Sequence, residues 1–242
     1  MITERADVVG SLLRPPWLLK AQKDLAAGTI DQSSFRDIED RAVDEAVLLQ
    51  EELGLGVVTD GEMRRQSFQS QMTEAVDGFG EYTMDAFLWG DWYGDEEVGD
   101  WSLKRPTTIG VVKKISRKRY LSVDEFTYLR TRTKRIPKVT LPSPSLFANF
   151  WSPERSKAAY PTLDHLLADI VDILRTEVAE LARLGANYIQ LDAPHYCLLL
   201  DPKTKVFYES HGWSADRWLQ AGIEMDNAVI GDHPNVTFGF HL

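Results

Sequence analysis

The sequence predicts an α/β protein built on a parallel β-sheet, and three observations support this class. Short apolar runs typical of strands alternate along the chain with longer segments in which apolar residues recur at helical spacing. Each short run ends in a loop rich in polar residues or glycine, as βα units do. The chain has 242 residues, a length that single α/β barrels commonly have.

The first part of the chain predicts two strands and one long helix. Residues 8–9 form a short apolar run that breaks at Gly10, which predicts a first strand followed by a loop. A helix is predicted between residues 31 and 56, where glycine ends it. Its predicted apolar stripe consists of Phe35, Ile38, Ala42, Ala46, Leu49 and Leu53. Residues 57–59 predict a second strand.

The last part of the chain continues the same alternation. Residues 138–141 predict a third strand, which a loop rich in proline and serine follows. The next segment is a long helix that Thr162 can cap and Gly185 can end. A fourth strand is predicted to end at Asp192.

A further helix with Ser214 as its N-cap precedes a predicted fifth strand at residues 236–242. In this strand Val236, Phe238 and Phe240 alternate with smaller or polar residues, which predicts a buried strand. Since a barrel has eight strands, the pattern predicts either an open sheet or an incomplete barrel.

Residues 80–135 differ from the rest and predict an insertion with a β-hairpin or an extended arm, because aromatic and charged side chains are dense there. The basic run at residues 113–120 alternates with apolar residues, which favours a solvated hairpin face. An aromatic cluster favours either a contact between subunits of a homo-oligomer or an arm folded back onto the barrel. It consists of Phe87, Trp89, Trp92 and Tyr93.

The composition excludes several classes of partner. The formal net charge is −10, so binding to nucleic acid is disfavoured, because phosphate neutralisation requires clustered lysine and arginine. The single cysteine excludes an intrachain disulfide and suits a reducing cytoplasm. No segment reaches the roughly 18 consecutive apolar residues that a membrane span needs. We therefore expect a cytoplasmic protein that does not bind a membrane.

Polar residues gather where the predicted strands end, which is where parallel α/β folds bind ligands. The set comprises Gly10, Ser11, Arg14, Asp60, Glu62, Ser143, Ser145, Asp192, His195 and His241. Its carboxylates and hydroxyls can bind an ammonium group, a metal ion or both. Cys197, close to His195, has no second cysteine nearby, which favours a structural core role over a zinc site. No dinucleotide, P-loop or serine-hydrolase motif is found.

Five segments resemble, in order, the catalytic barrel of the cobalamin-independent methionine synthase family and its shorter single-barrel relatives. They are VVGSLLRP, LGLGVVTDGEMRR, LPSPSLFANFW, GANYIQLDAP and VTFGFHL. The resemblance implies an α/β fold of the (β/α)8 TIM-barrel type, truncated after the fifth strand. It implies a single barrel domain over residues 1–242, incomplete at its C terminus, with the inserted arm or hairpin at about 80–135.

The family transfers an alkyl group to a thiol held as a thiolate on zinc, because Zn²⁺ stabilises the thiolate at neutral pH. The resemblance therefore implies zinc-dependent transfer of a methyl or alkyl group from an alkyl donor to homocysteine or another small thiol. Gly10 and Ser11 match the loop that binds the carboxylate of the thiol amino acid. Glu62 and Asp192 match acids that contact its ammonium group, and the loop 143–151 would line the donor side.

The full set of predicted substrate-binding residues is Gly10, Ser11, Arg14, Glu62, Ser145, Trp151 and Asp192. His241 matches the first zinc ligand. The cysteine expected directly after Leu242 and the later glutamate and cysteine ligands are not in this sequence, so the resemblance implies an incomplete zinc site in this chain.

Two alternatives remain open. The chain could be a non-catalytic half-barrel that binds a small molecule or is completed by a partner subunit. A uroporphyrinogen decarboxylase-like activity in the same fold is the weaker enzymatic alternative, because it requires an arginine-rich pocket and the strand ends here are mostly acidic apart from Arg14.

Overall fold

A four-stranded parallel sheet is the framework of the computed structural model, which describes residues 6–66, 70–81, 109–202, 205–206, 209 and 213–242. The strands described are β1 (Val57–Val58), β2 (Val76–Glu81), β3 (Ile109–Arg117), β4 (Ile136–Pro142), β5 (Tyr188–Asp192) and β6 (Thr237–His241). The helices are α1 (Pro16–Ala26), α2 (Gln32–Glu52), α3 (Ser70–Ala75), α4 (Val123–Arg132), α5 (Leu163–Arg183), α6 (His195–Leu198) and α7 (Ala215–Ile230). A 3₁₀ segment covers Pro144–Phe150.

The parallel sheet has the order β1-β4-β5-β6, and every pairing in it is parallel. Helix α4 lies between β1 and β4 in the chain, α5 lies between β4 and β5, and α7 lies between β5 and β6. This alternation confirms the predicted α/β class. Because the strands run in the same direction, their carboxyl ends meet at one edge, where Asp192 pairs in register with Pro142 and with His241.

The first predicted strand is wrong, because residues 6–10 form no strand. Side chains from the neighbouring strands hold this segment instead of a backbone ladder. Lys138 Nζ donates hydrogen bonds to the Val8 carbonyl at 2.6 Å and to the Asp7 carboxylate at 2.9 Å. Gln190 Nε2 donates to the Val9 carbonyl at 2.8 Å. The apolar residues Val8 and Val9 therefore belong to a segment that packs beside the sheet without joining it.

An antiparallel pair of strands, β2–β3, lies at this part of the chain, but β2 begins at Val76, before the predicted start of the insertion at about residue 80. Within the basic run 113–120, Ile115 is buried and Tyr120 is half-buried, while all the lysines and arginines are exposed, as predicted for a solvated face. The predicted insertion also included residues 123–132, which the structure places as α4 between two barrel helices. Tyr128 Oη donates to Asp44 Oδ1 of α2 at 3.0 Å, and Arg130 Nη1 donates to the Leu184 carbonyl after α5 at 2.6 Å. The aromatic cluster at 87–93 lies outside the described residues.

Helix α2 buries a face that differs from the predicted stripe. Leu49 and Leu53 are exposed, whereas the polar side chain of Gln50 is buried. Gln50 is buried because its amide donates to the Thr59 carbonyl at 2.8 Å and accepts from the Thr59 N–H at 2.9 Å. A stripe drawn from apolar residues alone misses a polar residue whose partner, Thr59, lies directly after strand β1.

Strand β6 was predicted to be buried, and the structure corrects this expectation. The strand is half-exposed, with 46% of Phe240 accessible to solvent. Among the described strands β6 pairs with β5 alone, so its other side forms the edge of the sheet. Its alternating pattern is real, but the periodicity of a strand does not reveal whether a second neighbour covers it.

The main hydrophobic core lies between the sheet and helix α5, whose Leu166, Ile170 and Leu174 are fully buried together with Ile189 and Leu191 of β5. Gly185 has a φ of 95° just beyond this helix, as predicted for its end. Within the described residues, no helix combines the length and apolarity that crossing a membrane requires.

The two predicted helix caps differ, and a matched pair of substitutions measures this difference. The Ser214 hydroxyl accepts a hydrogen bond from the Arg217 N–H at 3.2 Å. The Thr162 hydroxyl makes no cap bond and contacts His165 Nδ1 at 2.8 Å instead. We expect Ser214→Ala to lower the free energy of unfolding by about 1 kcal/mol and Thr162→Ala by clearly less. Urea denaturation of both variants checks this, and equal losses would contradict it.

Candidate active site

The loop after β1 holds Glu62 in a strained backbone conformation. Gly61 and Glu62 have φ angles of 68° and 53°, a left-handed region that is uncommon for residues other than glycine. Thr59 Oγ1 accepts from the Gly61 N–H at 3.1 Å, and Asp60 Oδ1 accepts from the Glu62 N–H at 2.9 Å. Non-glycine residues held in this region cluster at binding and catalytic sites.

The carboxylate of Glu62 is buried, with only 2% of the residue exposed, and is bound from three sides. Ser11 donates its hydroxyl to Oε2, and Thr140 Oγ1 donates to Oε1 at 2.8 Å. Arg65 Nη1 forms an ion pair with Oε1 at 3.3 Å. The predicted residues Ser11 and Glu62 therefore meet, although 51 positions separate them in the chain.

Arg65 is the centre of the charge network, and the sequence did not single it out. Its Nη2 donates to Glu125 Oε2 at 2.6 Å, and its Nη1 donates to Thr140 Oγ1 at 2.9 Å. Burial acts to lower the pKa of Arg65, but the carboxylates of Glu125 and Glu62 outweigh it and hold that pKa above its ordinary value. Arg65 is therefore a permanent cation that fixes Glu62 in place.

Gly10 lies against the carboxylate of Glu62. A Cβ atom built on Gly10 would overlap Glu62 Oε1 and would lie 3.1 Å from Thr140 Cγ2. Its carbonyl accepts a hydrogen bond from Thr59 Oγ1 at 2.8 Å, which ties the N-terminal segment to the loop after β1. Glycine is required here by this close approach.

Arg14, another predicted binding residue, supports the same loop. Its Nη2 donates to the carbonyls of Glu62, at 3.0 Å, and of Arg65. Its Nε is buried without a hydrogen-bond partner. Burial lowers the pKa of Arg14 from its ordinary value. A direct role of Arg14 in substrate binding stays a prediction, and the contacts observed are those of a clamp on the loop.

Asp192 and His241 meet at the ends of β5 and β6, as the parallel register requires. His241 Nδ1 lies 3.3 Å from Asp192 Oδ1, which also accepts from Gln190 Nε2 at 2.7 Å. Burial raises the pKa of Asp192, and the negative charge of Glu62 acts in the same direction. Asp192 thus lies within electrostatic range of Glu62, and the predicted metal ligand His241 lies beside Asp192.

Ser145 belongs to a second polar cluster at the same edge. Its Oγ lies 2.7 Å from Nε2 of His195 and 3.3 Å from Oγ of Ser143. Ser143 Oγ and Tyr196 Oη donate to the two carboxylate oxygens of Asp226, at 2.8 Å and 2.7 Å. Ser145 makes no hydrogen bond to Glu62 or Asp192. Asp226, which lies on α7, was not predicted.

Trp151 and Cys197 lie away from these contacts. Trp151 is buried in the main hydrophobic core, and its indole N–H donates to the Tyr160 carbonyl at 3.1 Å. Its contact with a substrate stays a prediction. Cys197 is exposed, so its predicted place in the core is wrong. It lies on the four-residue helix α6, where His195 takes the buried position.

The donors that the fold brings together do not meet what zinc needs. Within the described part of the chain, no group of three or more His, Cys, Asp or Glu side chains could hold a metal ion. His241 with Asp192 supplies two donors, whereas a zinc site needs about four ligands in a tetrahedron. These residues alone therefore do not make a zinc site, and we assign no chemical step to zinc.

A charged cleft of about 710 Å³ lies beside the loop after β1, between α1, α2 and α4. Its wall includes Glu39, whose pKa is raised to about 7 by burial despite the nearby guanidinium of Arg64. Because the folded-state pKa exceeds the unfolded value of 4.5, the folded protein binds this proton more tightly. The contribution of Glu39 to stability is therefore most favourable at low pH and declines as pH rises from about 4.5 to about 7.

Glu39→Gln should remove this pH dependence. Between pH 5 and pH 8, we expect the unmodified protein to lose about 1–3 kcal/mol more of its free energy of unfolding than Glu39→Gln does. Urea denaturation at both pH values measures it. Glu45→Gln, on the same helix but with half of its side chain exposed, is the control for the removal of one carboxylate charge from α2. Parallel profiles for Glu39→Gln and the unmodified protein would contradict the assignment.

The parallel sheet with polar residues at its strand ends defines a TIM-barrel-type α/β protein, as its structural neighbours confirm. More particularly, the chain belongs to the family described as "Cobalamin-independent synthase, Catalytic domain", whose model matches residues 5–233. The expected family is therefore confirmed.

Individual relatives resemble the chain over much of its length. It is 26% identical over 241 residues to the uncharacterized protein YxjH of Bacillus subtilis (strain 168), covering 98% of this chain and 61% of YxjH. It is 32% identical over 190 residues to the methionine synthase of Pyrococcus abyssi, covering 77% of this chain and 51% of that enzyme. The chain thus spans about half to three-fifths of the length of these relatives.

Solved structures give the same fold. A protein of Listeria monocytogenes assigned as a vitamin-B12-independent methionine synthase matches with a TM-score of 0.70 at 20% identity, over 98% of this chain and 64% of that chain. The B12-independent methionine synthase of Shewanella sp. W3-18-1 in complex with selenomethionine matches with a TM-score of 0.65 at 20% identity, over 97% and 60%. At this identity the two structures define the fold of the chain.

Proposed function

We propose that the protein takes part in transfer of a methyl group to the thiol of a small amino acid, with homocysteine as the first candidate. The observation that carries this proposal is that Ser11 donates its hydroxyl to the buried carboxylate of Glu62, while the buried Asp192 stands at the carboxyl end of β5, in a member of this family. Two buried carboxylates and an exposed hydroxyl at one strand-end edge suit an α-amino acid, which presents an ammonium group and a carboxylate.

The residues have distinct roles in this proposal. Glu62 and Asp192 accept hydrogen bonds from the ammonium group, while the Ser11 hydroxyl turns from Glu62 to the substrate carboxylate. Arg65 and Thr140 keep Glu62 oriented when Ser11 leaves it. Binding both ends of the amino acid fixes the direction of its side chain, which is how an enzyme brings a thiol to a methyl donor.

The proposal includes a dependence of the reaction on zinc. A bound zinc ion would lower the pKa of the thiol and hold it as the thiolate nucleophile. His241 would contribute one ligand, and Asp192 beside its Nδ1 would orient the imidazole as carboxylates do for metal-binding histidines. The pair does not complete a site, so the remaining ligands are not assigned.

Calorimetry with L-homocysteine and L-methionine tests the binding step, and methyl transfer from methyltetrahydrofolate with and without added zinc tests the reaction. Zinc content is measured in parallel for His241→Ala. His165→Ala is the matched control, because His165 contacts Thr162 at the surface. Failure to bind either amino acid would reject the proposal. Equal zinc content and activity in both variants would reject the role of His241.

A second candidate is a small-molecule-binding half-barrel that a partner subunit completes. The exposed edge of β6, with Phe240 and Leu242 46% and 63% accessible, favours it. A homo-oligomer through the arm at 80–135 is one form of this proposal. Light scattering distinguishes a half-barrel that acts alone from one that a partner subunit completes. A strictly monomeric and well-folded chain would reject the partner-completed form.

A further inference from the structure

The cluster around Ser145 contains a buried histidine that the amino-acid site does not use. His195 is only 3% exposed, and its Nδ1 is buried without a hydrogen-bond partner. Its ring packs against the ring of Tyr196, with centroids 4.5 Å apart. Buried polar atoms are nearly always paired in native proteins, so an unpaired nitrogen at a strand-end edge points to a ligand that would pair with it.

The hydrogen bonds around Asp226 have a definite direction. A carboxylate only accepts hydrogen bonds. Ser143 and Tyr196 therefore both donate their hydroxyl protons to Asp226, at 2.8 Å and 2.7 Å. Ser145 can then give its proton to Ser143 at 3.3 Å, to Tyr196 at 3.5 Å or to His195 Nε2 at 2.7 Å. The His195 bond is the only one of the three with the length of a normal hydrogen bond between hydroxyl and nitrogen.

Donation from Ser145 would set the tautomer of the histidine. If Ser145 donates to Nε2 of His195, the proton of the neutral imidazole must be on Nδ1. Burial lowers the pKa of His195 to about 4, so the ring stays neutral near pH 7. The unpartnered Nδ1 is then an N–H donor of fixed orientation and without charge.

We propose that His195 is a substrate-binding residue whose Nδ1–H donates a hydrogen bond to a neutral acceptor, a carbonyl oxygen or a ring nitrogen, on the alkyl donor. The proposal rests on the proposed methyl transfer and adds the contact on the donor side. Ser145 follows β4 and His195 follows β5, so both stand at the edge that carries Glu62 and Asp192. A neutral donor suits this place, because a cation would compete with the substrate ammonium group for the two acids.

The tautomer can be measured without any substrate. Nitrogen-15 NMR at pH 7.5 distinguishes Nδ1–H from Nε2–H, and the loss of one signal set in His195→Asn identifies His195 among the five histidines. We expect the Nδ1–H form in the unmodified protein. In Asp226→Asn an amide replaces an acceptor-only group, so the Nε2–H form should gain population. An Nε2–H tautomer in the unmodified protein would overturn the proposal.

Two isosteric variants test the ligand contact. His195→Asn keeps a donor near the Nδ1 position and loses the bond to Ser145, whereas His195→Gln keeps a group near Nε2 and loses Nδ1. We expect His195→Gln to weaken the affinity for methyltetrahydrofolate about tenfold or more and His195→Asn to weaken it clearly less. The affinity of both variants for homocysteine should stay unchanged.

The outcomes separate this inference from the proposed function. Equal loss of donor affinity in both variants would mean a purely structural histidine and would overturn the contact. Homocysteine binding without any donor binding in the unmodified protein would overturn the contact and leave the amino-acid site intact. Absence of binding for both compounds would reject the proposed function, while the NMR result would still decide the tautomer.

Discussion

Replacement of Arg65 by methionine is expected to destabilise the protein by about 3–5 kcal/mol, the cost of removing one partner from a buried ion pair. Arg65 is 3% exposed and neutralises Glu62 and Glu125, with N–O distances of 3.3 Å and 2.6 Å. Methionine fills similar space but leaves both carboxylates without their cation. Urea denaturation monitored by circular dichroism measures the loss as a lower midpoint at an unchanged slope.

Arg36→Met is the matched control for this measurement. Arg36 lies on α2 with 48% of its side chain exposed and approaches its acidic partners only at 3.9–4.0 Å. Exposed pairs of this kind contribute about 0–1 kcal/mol, so the control should change stability little. Adding Glu125→Gln to Arg65→Met should recover part of the loss, because one uncompensated charge is removed. Similar losses in Arg65→Met and Arg36→Met would contradict the central role of Arg65.

The strand-end residues could be predicted because two local signals coincide in the sequence. Short apolar runs mark the strands, and a polar residue follows directly where each run ends. Once the strands are parallel, geometry brings these ends together, and Asp192 stands opposite His241 in the register of β5 and β6. The same logic placed Glu62 beside Ser11, although their hydroxyl–carboxylate bond also depends on the strained turn at Gly61.

The residues that orient this site could not be predicted, because their partners are remote in sequence. Thr140 bonds to Glu62 across 78 positions and Arg65 bonds to Glu125 across 60. For Thr140 and Gln190, the sequence did contain a signal that their side chains face the site. Each precedes a strand end by two residues, and side chains two apart in a strand point to the same face. Asp226 has no such signal, because it lies within a helix.

The errors at β6 and at the first predicted strand have a common physical origin. An apolar run shows that a segment favours an extended and partly buried state, but not what covers it. Residues 8–9 are held by the side chains of Lys138 and Gln190 instead of a backbone ladder. Among the described strands, β6 has a backbone ladder with β5 alone and stays half-exposed. In both places tertiary neighbours decide the outcome.

Gly10→Ala is expected to weaken the affinity for homocysteine about 10- to 100-fold, which corresponds to about 1–3 kcal/mol of lost interaction. The new methyl group would overlap Glu62 Oε1, and Thr140 Cγ2 at 3.1 Å prevents it from moving aside. The carboxylate must therefore shift from the position where Ser11, Thr140 and Arg65 hold it. Isothermal titration calorimetry measures the affinity, and denaturation confirms that the variant is folded.

Ser11→Ala separates the steric effect from the loss of a single hydrogen bond. It removes the hydroxyl that donates to Glu62, and in the proposed complex to the substrate carboxylate, but adds no atom near Glu62. A hydrogen bond between a neutral hydroxyl and a charged group contributes about 1.5–3 kcal/mol at most when it is buried. Because Ser11 is exposed, we expect Ser11→Ala to weaken the affinity for homocysteine about tenfold or less.

Glu62→Gln keeps the shape of the side chain and removes its charge, so its affinity should match that of Gly10→Ala if the ammonium group binds there. Unchanged affinity in Gly10→Ala together with a folded protein would show that the carboxylate of Glu62 does not take part in binding.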